Sequence, residues 1–382
     1  MLGNLFCCEL NTKKINDTHD SRLTGKRKMI LTNCAACAAP LAHTGPRCVR
    51  CHTRYCNKTC QHDHWRRGHK QMCKKIHRGG NAEQYHADKK YKEAVAEAVE
   101  ACADDTKGRT CYICLEAVHA RTGEGLVRGC GCGDRDGVSS PELGVAHVSC
   151  LAEQAKILFA EAEENNLANE VLADRWARWE TCSLCEQRYH GVVLCALGWA
   201  CWKTYAGRPE TDPLRRCAMS LLGNGLGAAS RHEDALSARK AELAMTRRFC
   251  TSESSILMTQ GNLANTYSML GRFEEAVHLR RDVYSGFLRI NGEDHEDTLR
   301  SANNYALSLV DLERFQEARS LMRRLMPVTR RVLGKCHDHT LMMRWNYARA
   351  LCGGTGRVIA ATGQLTGAHN LDAVKAALKT TR

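Results

Sequence analysis

Cysteine spacing between residues 34 and 73 constrains the fold of this chain more than any other feature. The segment reads CAACAAPLAHTGPRCVRCHTRYCNKTCQHDHWRRGHKQMC and contains two C-x2-C pairs, one C-x3-C pair and one H-x3-C pair. A C-x2-C turn lets two thiolates reach one ion, and residues four apart share a helical face. Eight such ligands make two closed tetrahedral zinc sites of the structural type. The predicted ligands are Cys34, Cys37, Cys48, Cys51, Cys56, Cys60, His69 and Cys73.

The same segment resembles the MYND zinc finger, also in the pair Tyr55–Cys56 and the run Cys60–Trp65. The resemblance implies cross-braced ligation, with Cys34, Cys37, Cys56 and Cys60 on one zinc and the other four ligands on the second. It also implies that Gln61 and Trp65 hold a proline-rich peptide, against the alternative that Trp65 packs on a small core. We expect residues 61–75 to be helical, since His69 and Cys73 must face one zinc together. A disulfide framework is disfavoured because the sequence shows no secretory signal.

A second cysteine cluster spans residues 111–185. Its pairs have C-x2-C, C-x-C, H-x2-C and C-x2-C spacing, and the runs CYIC, RGCGC and AHVSCL resemble the RING-CH (RING-variant) zinc finger. The resemblance implies two more zinc ions and a surface for a ubiquitin-conjugating enzyme that includes Ile113 and Leu184. Arg188 is a loose substitute for the basic residue that many active ligases carry after the last pair. The predicted zinc ligands are Cys111, Cys114, His147 and Cys150 on one ion, and Cys130, Cys132, Cys182 and Cys185 on the other.

The C-terminal half contains an internal repeat with a period of 42 residues, since segments at 262, 304 and 346 begin alike. Paired amphipathic segments at a fixed period predict stacked helical hairpins, and the pattern resembles kinesin-light-chain tetratricopeptide repeats. Asn262, Asn304 and Asn346 occupy equivalent positions and could hold an extended peptide or tie helices together. Arginines that recur in the second helices could form a basic face that selects acidic peptides, or could simply be solvated: Arg280, Arg281, Arg323, Arg324, Arg330 and Arg331.

Charge is unevenly distributed, at net +12 over residues 1–80, −8 over 81–200 and +9 over 201–382. This balance leaves nucleic acid open as a partner without favouring it. The longest apolar run near the cysteines, 192–202, is too short to span a bilayer. Because the first residues lack the apolar segment of a signal peptide, we expect a cytoplasmic protein with metal-bound thiolates, with the nucleus as the alternative. The sequence lacks a Walker loop, a nucleophile triad and a dinucleotide fingerprint, and no catalytic residue is predicted.

We therefore predict a multidomain protein with two small cross-braced zinc modules, four zinc ions and an all-α tetratricopeptide-like domain. Two functions remain open: an adaptor that binds proteins or peptides through its modules, and a RING-CH-type ubiquitin ligase. The predicted bounds are a disordered lead-in at 1–30, zinc modules at 34–73 and 111–185, a connecting helix at 81–105, repeats at 215–352 and a degenerate tail or cap at 353–382.

Overall fold

The computed structural model describes residues 34–37, 39, 41, 45–132 and 144–352. The predictions for the lead-in at 1–30 and the tail at 353–382 lie outside these residues. Within them the secondary structure is α1 (Lys58–His64), a π-helical segment (Trp65–His69), α2 (Lys70–Arg78), α3 (Ala82–Ala101), α4 (Ala103–Thr106), β1 (Val127–Arg128), β2 (Val145–Ala146), α5 (Val148–Glu164), α6 (Asn169–Ala177), α7 (Gly191–Tyr205), α8 (Pro213–Ala228), α9 (His232–Phe249), α10 (Glu253–Met269), α11 (Phe273–Asn291), α12 (Glu296–Asp311), α13 (Phe315–Val332) and α14 (Asp338–Cys352).

The first cysteine-rich module contains an interrupted helix. α1 begins after Asn57, whose side chain accepts a hydrogen bond from the backbone N–H of Cys60. The backbone then turns sharply at Gly68, where φ is +119°. Only glycine adopts such a conformation without a steric penalty from Cβ. Residues 61–75 are therefore helical as predicted except at Gly68, where an unpredicted kink separates α2 from the preceding helical segment, and His69 beyond the kink is buried.

The connecting helix predicted over 81–105 is present as α3 and the short α4. Asn81 caps α3 by accepting from the backbone N–H of Gln84. The buried side of α3 includes Tyr91, Ala94 and Ala98 at helical spacing, which is the predicted apolar stripe. This stripe packs against α7.

α7 is the central helix of the N-terminal half. Eleven of its fifteen residues are buried, on all sides of the helix. A helix that is apolar all round belongs in a core, and α7 packs against α3, α5 and α8. Across the described ranges, no helix combines the length and the apolarity that crossing a membrane requires.

The chain divides into two compact units, Met1–Ser252 and Glu253–Arg382. In the first unit, β1 and β2 pair antiparallel beside the second cysteine cluster, and α8 and α9 form a hairpin. The second unit contains α10 packed on α11, α11 on α12, α12 on α13, and α13 on α14. The first hairpin of the predicted repeat domain thus belongs to the first compact unit.

The helix-to-helix turns repeat with the sequence. Ser230, Gly271 and Glu313 follow the first helix of successive hairpins, and each has a positive φ between 57° and 71°. A left-handed residue after a helix ends it and satisfies its last carbonyl groups. The period of the sequence therefore corresponds to one helical hairpin.

Candidate metal centres and peptide-binding surfaces

The first module brings its eight predicted ligands together as two groups of four. Cys34, Cys37, Cys56 and Cys60 form the first group, and Cys48, Cys51, His69 and Cys73 form the second. In each group the ligand atoms all lie within 4.8 Å of one another. These are the two sets that cross-bracing implies.

Sulfur distances in this module match the geometry of zinc. A tetrahedral Zn²⁺ with Zn–S bonds of about 2.3 Å separates its sulfurs by about 3.8 Å. The Sγ–Sγ distances are 3.6 Å between Cys37 and Cys56, and 3.7 Å between Cys48 and Cys73. The Cys51 Sγ lies 3.3 Å from Nε2 of His69. Each group could hold a metal ion, and its sulfur-rich donor set suits zinc.

The second module has two groups of the same kind: Cys111, Cys114, His147 and Cys150, and Cys130, Cys132, Cys182 and Cys185. The β-hairpin positions them, because the C-x-C pair follows β1 and His147 follows β2. The Nδ1 of His147 lies 3.3 Å from Cys114 Sγ and 3.6 Å from Cys150 Sγ. Cys132 and Cys182 are 3.6 Å apart at Sγ.

Electrostatics around the groups also suit a cation. Burial lowers the pKa of both His69 and His147, which favours the neutral imidazole that ligates metals. The hydrogen bond between Cys130 and Cys182 lowers the pKa of Cys182 and raises that of Cys130, because the two sulfurs share one proton. Every cysteine in the described ranges whose side chain is placed is a free thiol. The geometry therefore favours metal ligation over the disulfide framework.

Two exposed apolar side chains lie at the C-x2-C turns, or knuckles, of the second module. The backbone N–H groups of Ile113 and Leu184 each donate to the first cysteine of their C-x2-C pair, at 3.4 Å. Tyr112 Oη and Ser183 Oγ are hydrogen-bonded at 3.2 Å, which joins the two knuckles. Ile113 is 36% exposed and Leu184 46%. These two residues consequently belong to one surface.

Sequence reasoning missed a further apolar residue on this surface. Leu115 follows the first C-x2-C pair and is 75% exposed. Its φ of +65° turns the chain at the end of the knuckle. The signal was a leucine directly after a ligand cysteine, where a polar turn residue is the usual choice.

Arg188, the predicted substitute for a basic residue after the last cysteine pair, forms an ion pair with Glu180 of its own chain.

The two candidate peptide-binding residues of the first module differ in their surroundings. Trp65 is 43% exposed, with its ring centroid 5.8 Å from that of His69. Its indole is therefore partly packed on the module and partly open to solvent. The Nε2 of Gln61 donates to the backbone carbonyl of Arg47 at 3.3 Å. The side-chain oxygen of Gln61 has no hydrogen bond to any described residue.

The predicted asparagines of the repeats have two different environments. Asn262 and Asn304 are half-buried on α10 and α12, and within the described residues their side-chain amides make no hydrogen bond. Asn346 on α14 is only 4% exposed, and its amide donates to Asn303 at 3.0 Å. The Asn346 side chain thus links two helices, whereas the other two amides are available to a ligand.

The predicted basic face of the second helices is smaller than the sequence suggests. Arg280 is 6% exposed and donates to Asn265 and Ser308 inside the repeat. Arg331 pairs with Asp294 at 2.7 Å. Including Arg280 in an exposed basic face was wrong, because periodicity does not reveal which side of a second helix is covered.

Comparison with known proteins identifies the repeats. The family model for the tetratricopeptide repeat matches residues 255–331. A Podosopora anserina kinesin light chain with nearly identical TPR-like repeats is 19% identical, over 62% of this chain and 99% of that one, with a TM-score of 0.39. BtubC (BKLC) from P. vanneervenii is 15% identical, over 62% and 93%, with a TM-score of 0.40. No curated protein matches the chain.

The predicted tetratricopeptide repeats are thus confirmed over 255–331. Repeats of this kind form extended surfaces that bind other proteins. The chain therefore combines a protein-interaction repeat with four Cys/His groups that could each hold a metal ion, plausibly zinc.

Proposed function

We propose that this protein is a zinc-binding adaptor that holds an extended peptide on the first helices of its repeats. The observation that carries the proposal is the pair Asn262 and Asn304, one repeat apart, with side-chain amides that no described residue engages. A side-chain amide offers a donor and an acceptor, as a peptide backbone does. Two such amides at equal positions can follow the backbone of one extended ligand.

The surroundings of these amides support the same role. Positions one helical turn before and after them lie on the same side of α10 and α12. Met258 and Leu307 at these positions are half-buried, so each leaves part of its apolar surface in solvent. Apolar contact together with backbone pairing is the usual basis of extended-peptide recognition.

The test is selection of a peptide from a displayed random library on the full chain, followed by affinity measurement. Asn304→Ala and Asn262→Ala should each weaken the selected peptide about tenfold, the effect of losing roughly 1.5 kcal/mol of hydrogen bonding. Gln316→Ala on α13 removes an exposed amide from a second helix and should leave affinity unchanged. Equal affinities for all three variants would refute the proposal.

The zinc modules extend the adaptor role. We assign the first to the MYND type, where the exposed Trp65 and the amide of Gln61 would hold a proline-rich peptide. Trp65→Ala should abolish binding of a proline-rich peptide while all four zinc ions remain bound. Loss of zinc in that variant would assign the indole to the fold of the module.

A second candidate function is that of a RING-CH-type ubiquitin ligase. The observation that favours it is the hydrogen bond between Tyr112 and Ser183, which holds the exposed Ile113 and Leu184 on one surface. A conjugating enzyme would dock its apolar loops there. The ion pair of Arg188 with Glu180 counts against it, since that guanidinium is already engaged.

Self-ubiquitination with a panel of conjugating enzymes separates the two functions. A ligase should be active with at least one enzyme, and Ile113→Ala should reduce that activity. Leu167→Ala is the matched control, because Leu167 is 41% exposed and lies in the connection between α5 and α6. Inactivity across the panel, or full activity of Ile113→Ala, would leave the adaptor as the function.

A further inference from the structure

The first zinc module carries far more positive charge than its ligands neutralise. Residues 45–80 contain ten Lys/Arg and a single carboxylate, Asp63. Two Zn²⁺ ions with seven thiolates subtract three charges, which leaves the module at about +6. Most small domains intersperse both signs on their surface. This module therefore has a field suited to a polyanion.

The excess charge is concentrated on α2, which is attached to the module by one side only. Cys73 and Ile76 are its buried residues. The basic side chains of α2 are exposed, and within the described ranges none has a carboxylate within 4.0 Å: Lys70, Lys74, Lys75 and Arg78. By contrast, Arg67 pairs with Asp63, and Arg54 with Glu210. The charges of α2 are thus free to meet a ligand.

An exposed aromatic ring lies beside these charges. Trp65 contacts His69, the residue directly before Lys70, so its indole lies at the start of α2. Arg66, adjacent to the indole in sequence, is exposed and also has no carboxylate partner among the described residues. Base stacking on an aromatic ring next to basic side chains is how proteins hold single-stranded nucleic acid.

We propose that this surface, the α2 face, binds single-stranded nucleic acid, with phosphates on the basic side chains and a base stacked on Trp65. Lys70, Lys74 and Arg78 follow one another at intervals of four residues, a rise of about 6 Å each, along one side of α2. Charge alone would suit an acidic protein equally. The exposed indole favours nucleic acid over an acidic peptide, which gains little from an aromatic plane; a proline-rich peptide on Trp65 would compete with the nucleic acid for the same ring.

The test is binding of a labelled oligouridine of about 12 nucleotides to the full chain, between about 50 and 200 mM salt. The triple variant Lys70→Gln, Lys74→Gln and Arg78→Gln should weaken binding at least tenfold. It should also flatten the plot of log affinity against log salt by about 2, since each lost phosphate contact contributes about 0.7. Trp65→Ala should weaken binding tenfold or more with an unchanged salt slope.

A matched control removes three lysines from α3. Lys89, Lys90 and Lys92 each have a carboxylate partner on the same helix, at 3.9, 2.7 and 2.8 Å. Their replacement by glutamine changes net charge equally and should leave oligouridine affinity within about twofold of wild type. Zinc content of each variant, four ions expected, shows that the modules are intact.

Three results would overturn the proposal. One is equal weakening by the α3 and α2 variants, which would make binding a property of net charge. Another is a Trp65→Ala variant with wild-type affinity, which would remove the base contact. The third is displacement of the oligouridine by a polyglutamate of equal charge at a lower concentration than unlabelled oligouridine requires, which would identify an acidic protein as the ligand.

Discussion

Arg280 is a buried cation whose removal should be costly alone and harmless when its partners change with it. Its side chain is 6% exposed on α11. It donates to Ser308 Oγ at 2.7 Å, to Asn265 Oδ1 at 2.9 Å and to the carbonyl of Asn304 at 3.2 Å. Burial lowers the pKa of Arg280 to about 10, so the guanidinium is charged at neutral pH.

In the following repeat, apolar side chains occupy the positions equivalent to Arg280 and its two side-chain partners. A shift of 42 residues carries Arg280 to Met322, Asn265 to Leu307 and Ser308 to Ala350. Met322 and Ala350 are fully buried in their own cluster. The equivalent positions of the next repeat thus show which apolar side chains can occupy the place of the polar cluster around Arg280.

The magnitude follows from the hydrogen bonds. Hydrogen bonds to a charged group contribute about 1.5–3 kcal/mol each, and a buried partner left unsatisfied costs about 1–3 kcal/mol. Arg280→Ala should therefore lower the free energy of unfolding by about 3–5 kcal/mol. The triple variant Arg280→Met, Asn265→Leu and Ser308→Ala should lie within about 1 kcal/mol of wild type. Both side-chain acceptors are removed together with the guanidinium, and the Asn304 carbonyl keeps its hydrogen bond within α12.

Hydrogen exchange of peptides from α11 and α12, measured by mass spectrometry, compares the stability of the two variants within the second unit. A loss of 3 kcal/mol accelerates amide exchange on the order of 100-fold in the segments that open with the unit. The triple variant should exchange at nearly the wild-type rate. Exchange of Arg280→Ala at the wild-type rate, or equal acceleration in both variants, would refute the reasoning.

Three other predictions test the core and the metal groups. Cys51→Ser should reduce bound zinc from four ions to three and unfold the first module locally, read by metal analysis and by exchange in α2; four retained ions would contradict the ligand assignment. Gly225→Ala should lower the free energy of unfolding by about 1–3 kcal/mol in denaturant titration, because a Cβ there lies 2.6 Å from a carbonyl oxygen of α7. Gly261→Ala is its control, because nothing lies within 4 Å of a Cβ at that helical position. This variant should raise the free energy of unfolding by about 0.5–1 kcal/mol. Asn346→Ala leaves the buried side chain of Asn303 without its partner and should lower the free energy of unfolding by about 1–3 kcal/mol. Amide exchange in α12 should become faster, and an unchanged rate would contradict the interhelical role of Asn346.

Local spacing carried most of the information about the metal groups. A C-x2-C pair such as Cys111 and Cys114 must form a tight turn to present both sulfurs, and this requirement is independent of the remaining chain. The helical repeat could also be predicted from local sequence, because Asn262 and Asn304 recur at a spacing equal to the length of one helical hairpin. The sequence failed at Gly68, where helical periodicity continues through a residue whose backbone turns away.

The sequence alone predicted the cysteine and histidine ligands, the hairpin period and an apolar helical run at 192–202. The division of the ligands into four groups was implied by the resemblance to known zinc fingers, and the structure brings the same groups together. Tertiary structure decided which side chains remain available. Asn304 and Asn346 are equivalent in sequence, yet only Asn346 is covered by a neighbouring helix. Arg280 and Arg281 are adjacent, yet one is buried and the other exposed. Spacing fixes contacts between near neighbours in the chain, whereas availability to a partner depends on what packs across from each residue.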